Sequence, residues 1–201
     1  MHPSPRGREP TASLACAPVS GALLAGGSSR RLGSDSKPSA LLGGLPLAGY
    51  PAAALEAVCE RVAVVCKRDT DLPDLPGVER WDEPDEPRHP LTGIVHALVT
   101  AGGPVLVCAA DMPFVTADAC RTLLQAAGSG PAVVAASDGI LQPTFGLYAP
   151  AALEVLRAAP PEAPLTRTVE ALDPVRVALP AAVVRSVNTP EDLAEAEALL
   201  G

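Results

Sequence analysis

The chain has 201 residues, with 23 Asp plus Glu against 15 Lys plus Arg and a net charge of −8. That length suits one domain with a sizeable core. The acidic balance excludes a general nucleic-acid binder or a binder of acidic membranes, because both need a basic face.

Apolar residues make up 48% of the chain, yet the aromatics are only Tyr50, Trp81, Phe114, Phe145 and Tyr148. A core of Ala, Val and Leu is typical of sheets covered by helices on both faces. The cysteines (Cys16, Cys59, Cys66, Cys108, Cys120) are odd in number and show no CxxC spacing. They read as small buried hydrophobes of a reducing compartment rather than a disulfide or zinc framework. Residues 1–18 mix Pro, Arg, Ser and Glu without an apolar h-region, so a disordered extension is expected there, followed by a single domain over 19–201. No apolar run reaches the length of a membrane span, and a cytoplasmic protein is expected.

In chain order, the first predicted strand covers residues 22–25 and empties into Gly26-Gly27-Ser28-Ser29-Arg30-Arg31-Leu32-Gly33-Ser34-Asp35-Ser36-Lys37. Two glycines let backbone N–H groups approach an anion without a Cβ in the way. Arg31 and Lys37 add full positive charges around the same cradle. Lys37 is one of two lysines in a chain that otherwise uses arginine. Composition alone leaves a plain Gly/Ser-rich surface loop open. The P-loop pattern GxxxxGK[ST] and the dinucleotide pattern GxGxxG are both missing from this stretch.

Residues 40–47 form a turn with apolar flanks around Gly43-Gly44. Pro51 sits in the first turn of a helix carrying Ala53, Leu55, Val58 and Cys59. Residues 62–66 are a buried strand. A Pro/Asp loop over 69–77 precedes a short strand over 78–81 that ends at Asp82. Residues 83–90 are acidic and broken by proline, which rules out regular structure.

Thr92 is read as the cap of a helix running to Ala101, with Ile94, Val95 and Leu98 on its core face. Residues 104–110 are the clearest strand and run directly into Asp111-Met112-Pro113. Thr116 caps a helix over 117–127. Strands follow over 132–136 and 140–148, the latter carrying Gln142-Pro143-Thr144-Phe145. Short helices are read at 151–158 and 165–172, and strands at 175–179 and 183–187. The terminal helix covers 190–200, with Thr189 as N-cap, Pro190 at N1 and acids in the first turn. Asn188, placed at the end of the preceding strand, can supply a neutral oxygen to a metal or ligand.

Alternation of strands and helices predicts a three-layer α/β/α fold around a mostly parallel sheet. Ligands of such sheets gather at the carboxyl ends of strands, where Gly26, Asp82 and Asp111 all fall. A carboxylate fixed there, as Asp111 is, can hold Mg²⁺; an ordinary turn aspartate before proline is the other reading. His89 and His96 are read as incidental and Cys108 as inert, and no Ser/His/Asp or Cys/His set stands out.

The residues Leu24-Ala25-Gly26-Gly27-x-x-x-Arg31-Leu32-Gly33-x-x-x-Lys37 resemble the signature of the MobA-like nucleotidyltransferases. The resemblance continues through Gly44-x-Pro46-Leu47, Asp82, Pro90-Leu91-x-Gly93-Ile94, Asp111-x-Pro113, Pro143-x-Phe145 and Asn188-Thr189-Pro190-Glu191-Asp192-Leu193, in the family's order, over residues 20 to 200. It implies a Rossmann-like fold of the nucleotide-diphospho-sugar transferase type. Within the family the chain looks most like the molybdenum cofactor guanylyltransferases, which implies GMP transfer from GTP onto molybdopterin with Mg²⁺.

By that resemblance Leu24, Ala25, Gly26, Gly27 and Lys37 hold the nucleotide, together with Asp82, Gly93 and Asn188. Asp111 binds the metal, and Arg31, Lys37 and Asp111 carry the catalysis. Proteins of molybdenum-cofactor synthesis or its acceptors are the implied partners, with neither nucleic acid nor membrane among them. The chain departs from the family pattern at Ser36, His89, Val65-Cys66 and Ser186. CTP or another phosphorylated acceptor, and a non-catalytic nucleotide-binding homologue, are the competing readings. The second is disfavoured because binding alone does not require Arg31, Lys37 and Asp111 together. An oxidoreductase is disfavoured by the missing GxGxxG.

Overall fold

The computed structural model describes residues 18–26, 37–160 and 163–200. The extension over residues 1–17 and the loop over 27–36, which contains Gly27 and Arg31, lie outside them.

The first strand, β1 (Ser20–Leu24), is buried along most of its length. After a 3₁₀ turn at Lys37–Ser39 comes a two-stranded hairpin, β2 (Leu41–Leu42) with β3 (Leu45–Pro46). Its Gly43 and Gly44 both have positive φ, 56° and 84°, the backbone that a tight two-residue hairpin turn demands. Helix α1 (Gly49–Glu56) starts two residues before Pro51 and ends before Val58 and Cys59, which the sequence pattern had placed on it. Strand β4 (Arg61–Cys66) and the short β5 (Glu79–Asp82) follow.

Helix α2 (Pro90–Ala101) also starts earlier than its pattern suggested. Its cap is His89, whose ring nitrogen accepts from Leu91 N–H, with Pro90 at the first helical position. Thr92 instead donates its hydroxyl to the Pro87 carbonyl. His89 is therefore a capping residue rather than an incidental one. Proline preset at N1 explains the shift.

Strand β6 (Val105–Ala109) leads to α3 (Ala117–Gln125), whose cap is Thr116 as the sequence indicates. Then come β7 (Ala132–Ser137), β8 (Ile140–Tyr148), α4 (Leu153–Ala158), α5 (Leu165–Glu170), β9 (Val175–Ala178) and α6 (Pro190–Leu200). Residues 183–187, read as a strand, are a turn followed by irregular backbone. Val187 spends its N–H on the Asp111 carbonyl at 2.8 Å instead of on a sheet ladder.

Seven strands make one sheet in the order β5-β4-β1-β6-β8-β7-β9. Only β8 runs against its neighbours, so the sheet is mostly parallel. Side chains alternate between its faces: Leu23, Val62, Val64, Leu106 and Cys108 join the core under α1 and α3. Ala22, Ala63, Val65, Val105 and Val107 join the core under α2, α4 and α5. Strands apolar on both faces are what a sheet sandwiched between helices requires. Leu42, Leu47, Val187 and Ala196 form a small third cluster that fastens α6 to the hairpin.

Candidate functional site

Parallel strands place their carboxyl ends on one rim, and adjacent strands of different length leave a crevice there. In this chain the ladder continues past the strand ends: Ala25 N–H donates to Val65 O, and Ala110 N–H to Leu24 O, both at 2.9 Å. These bonds fix the backbone of Ala25-Gly26 and Ala110-Asp111 side by side as each leaves the sheet. A cleft of about 190 Å³ opens between them, with Leu24, Ala25 and Gly26 on one wall and Asp111 on another. Pro90 and Gly93 of α2 form its side, so the positive end of that helix faces it.

The structure brings together Leu24, Ala25, Gly26, Gly93 and Asp111 from the residues expected at a ligand site. Pro38, the residue after Lys37, also lines the cleft, so the chain returns from the 27–36 loop at its edge. Asp82 and Asn188 do not line it. Asp82 is half-exposed and ion-paired with Arg80 at 2.8 Å. Asn188 is exposed, and its N–H donates to the Asp192 carboxylate. From this segment it is Ser186 that reaches the cleft wall.

Two charged groups, one lining the cleft and one packed behind it, were not singled out by the sequence. Glu83 follows β5 directly, is 6% exposed and lines the cleft. Lys67 follows β4 directly and is 1% exposed. Their charges lie 3.4 Å apart, and Lys67 also donates to the Pro84 and Pro87 carbonyls. Burial pushes the Glu83 carboxyl above the usual range, and Lys67 beside it opposes that push. The signal was present: Lys67 is the other lysine of an arginine-rich chain, and it directly follows the apolar run Val62 to Cys66.

Glycine at position 26 follows from Glu83, and at position 93 from Leu24 and Glu83 together. A Cβ on Gly26 would lie 2.5 Å from Glu83 Oε1, and one on Gly93 would lie 3.3 Å from Oε2 and 3.1 Å from Leu24 Cδ2. Both glycines are needed for closeness rather than for a turn.

No thiol is poised as a nucleophile among the described residues. Burial pushes the Cys59 and Cys120 thiols up to about 12 and Cys108 well above its usual value. Nor is there among the described residues any group of three or more His, Cys, Asp or Glu able to cage a metal. The cleft's oxygen donors are the Asp111 carboxylate at the rim, the buried Glu83 carboxylate and the hydroxyls of Thr144 and Ser186. Such a set suits a ligand that brings its own charge. None of the described helices is long and apolar enough to cross a membrane.

Comparison with known proteins agrees with this geometry. Residues 21–177 match the family model described as the MobA-like NTP transferase domain. The chain is 35% identical over 193 residues to the molybdenum cofactor guanylyltransferase of Cereibacter sphaeroides, covering 90% of this chain and 96% of that protein. It is 32% identical over 205 residues to that of Rhizobium leguminosarum bv. trifolii, covering 92% and 94%. In fold it is similar to the molybdopterin-guanine dinucleotide biosynthesis protein A of Archaeoglobus fulgidus, with a TM-score of 0.70 at 22% identity over 90% of this chain and 98% of that one. It is also similar to a cytidylyltransferase of Thermus thermophilus acting on 2-C-methyl-D-erythritol 4-phosphate, with a TM-score of 0.67 at 21% identity over 89% and 97%. A cleft at the strand ends, a rim aspartate and no protein nucleophile among the described residues suit transfer between two phosphates, and the chain belongs to the MobA-like NTP transferase family of nucleotidyltransferases.

Proposed function

We propose that this nucleotidyltransferase moves GMP from GTP onto the phosphate of molybdopterin and releases pyrophosphate. The reading is supported by one observation above all: Asp111 stands in the wall of the strand-end cleft, immediately beyond β6 and beside the Ala25-Gly26 backbone. The relatives that match nearly the whole chain are named for that reaction.

A phosphate oxygen of molybdopterin attacks the α-phosphorus of GTP. The bond from that phosphorus to the bridging oxygen breaks, and pyrophosphate leaves with the electron pair. The attacking oxygen is already anionic, so no side chain has to be deprotonated first. What the protein supplies is alignment of two anions and relief of their repulsion. Leu24, Ala25 and Gly26 orient the nucleoside from one wall. Lys37 and Arg31 contribute positive charge from the loop that follows β1.

Asp111 fits Mg²⁺, which takes oxygen ligands and usually binds through one or two carboxylates plus substrate phosphates and water. Bound there, the ion would neutralise charge on the phosphoryl oxygens. Pyrophosphate released per molybdopterin consumed, measured with GTP, CTP, ATP and UTP in turn, tests the proposal. Stoichiometric release with GTP in clear preference is expected. Preferential turnover of CTP, or none with any nucleotide, would overturn it.

A further inference from the structure

The floor of the cleft holds a carboxylate that phosphate transfer does not use. Glu83 Oε2 is buried and has no hydrogen-bond partner among the described residues, although its side chain is only 4% exposed and the residue lines the cleft. Leaving a buried acceptor unpaired is costly, so its retention calls for an occupant that pairs it. Lys67 cannot be that occupant's partner, because its three donors already face Glu83 Oε1, Pro84 O and Pro87 O. It fastens the carboxylate in position and favours its ionised, acceptor-only form.

Gly26 and Gly93 leave room for this carboxylate from either side. The walls above it, Leu24, Ala25, Val65 and Pro90, are apolar, as the faces of a flat heterocycle prefer. An acceptor-only pair of oxygens discriminates strongly among bases. Guanine offers two adjacent donors, N1–H and the 2-amino group. Adenine and cytosine offer one amino donor beside an acceptor, and uracil one N–H between two acceptors.

Resting on the GTP-dependent reaction proposed above, we infer that Glu83 selects the base by accepting hydrogen bonds from guanine N1–H and its 2-amino group, with Lys67 as its positioning residue. Asp82, the neighbouring carboxylate, is occupied by Arg80 outside the cleft and does not serve this role.

The test is nucleotide binding by calorimetry, with GTP, inosine triphosphate (which lacks the 2-amino group) and 2′-deoxy-GTP. It compares the full chain with a Lys67→Met/Glu83→Met variant. That variant removes both charges, so that neither remains buried and unpaired. The wild type is expected to bind GTP about 10-fold or more tighter than inosine triphosphate, the scale of a hydrogen bond to a charged group. In the variant that ratio should fall to within about threefold, while the ratio of GTP to 2′-deoxy-GTP stays unchanged.

An absent inosine penalty in the wild type would overturn the inference without any need for the variant to fold. So would a penalty that survives in the folded variant, or a variant that loses discrimination against the 2′-deoxy sugar instead. In each of those cases GTP turnover can stand. Failure of the wild type to bind GTP at all would instead remove the reaction on which the inference rests.

Discussion

Gly26 shows how one residue ties packing to ligand recognition. The added methyl of Gly26→Ala meets Glu83 Oε1 at 2.5 Å, and Glu83 cannot swing aside freely because Lys67 holds it. Overpacking of this kind costs about 1–3 kcal/mol, or roughly 2–10 °C in a domain of this size. Gly103→Ala is the control, since its nearest neighbour would be 3.9 Å away. Calorimetric melting of both variants, with GTP titration of each, should show the first losing stability and affinity and the second losing neither. Equal melting temperatures would mean that the carboxylate is free to move. The sequence made Gly26 and Gly93 visible as a pattern, but their reason was not legible. For Gly26 that reason is Glu83, which sits in a proline-broken loop with no periodicity to betray its burial; at Gly93 Leu24 shares it.

At the scale of elements, α6 begins on a reciprocal cap. The Asp192 carboxylate accepts from the N–H groups of Asn188 and Thr189, both at 2.9 Å, and Asp192 N–H donates to Thr189 Oγ1 at 3.1 Å. This fixes the turn just after Val187, whose N–H is bonded to the Asp111 carbonyl. Backbone N–H groups hold the Asp192 carboxyl below its ordinary value of 3.8.

A depressed native value means that the unfolded chain binds the proton first. The stabilisation is therefore complete above 3.8 and is lost as pH falls through the lower native value. Asp192→Ala should melt below the wild type at neutral pH, and the two melting curves should converge as the solution is acidified past that window. A gap independent of pH would show that the carboxylate's charge contributes nothing. Thr189, Pro190 and the acids after it announced this start plainly in sequence. The same rules missed the start of α2, because His89 is an uncommon cap and Thr92 a common one.

For the whole molecule, alternating apolar strands and amphipathic helices were enough to give a three-layer mostly parallel sheet and to place Gly26, Asp82 and Asp111 on one rim. The antiparallel β8 was missed although its signal was present: Asp138-Gly139, both at positive φ, is the two-residue hairpin turn that joins it to β7. The irregular path of 183–187 was not legible: Val183 and Val184 pack into the main core and Val187 into the small cluster with Leu42, Leu47 and Ala196, without forming a strand.

The cleft itself draws on β1, β4, β6, α2 and the segment before α6, so its contents follow from topology rather than from any single motif. Of the positions read in the sequence as departing from the pattern it resembles, Val65, His89 and Ser186 line this cleft, Cys66 does not, and Ser36 lies outside the described residues. The proposed reaction rests most heavily on Asp111, the carboxylate at the cleft wall. Asn serves turns as well as Asp does, so Asp111→Asn should keep the fold and its melting temperature. The decisive measurement is pyrophosphate release from GTP and molybdopterin as a function of Mg²⁺ concentration, for wild type beside Asp111→Asn. The account predicts a loss of about 10²-fold or more in the variant at low Mg²⁺, on the order of 3 kcal/mol of transition-state stabilisation. Superimposable curves would contradict it.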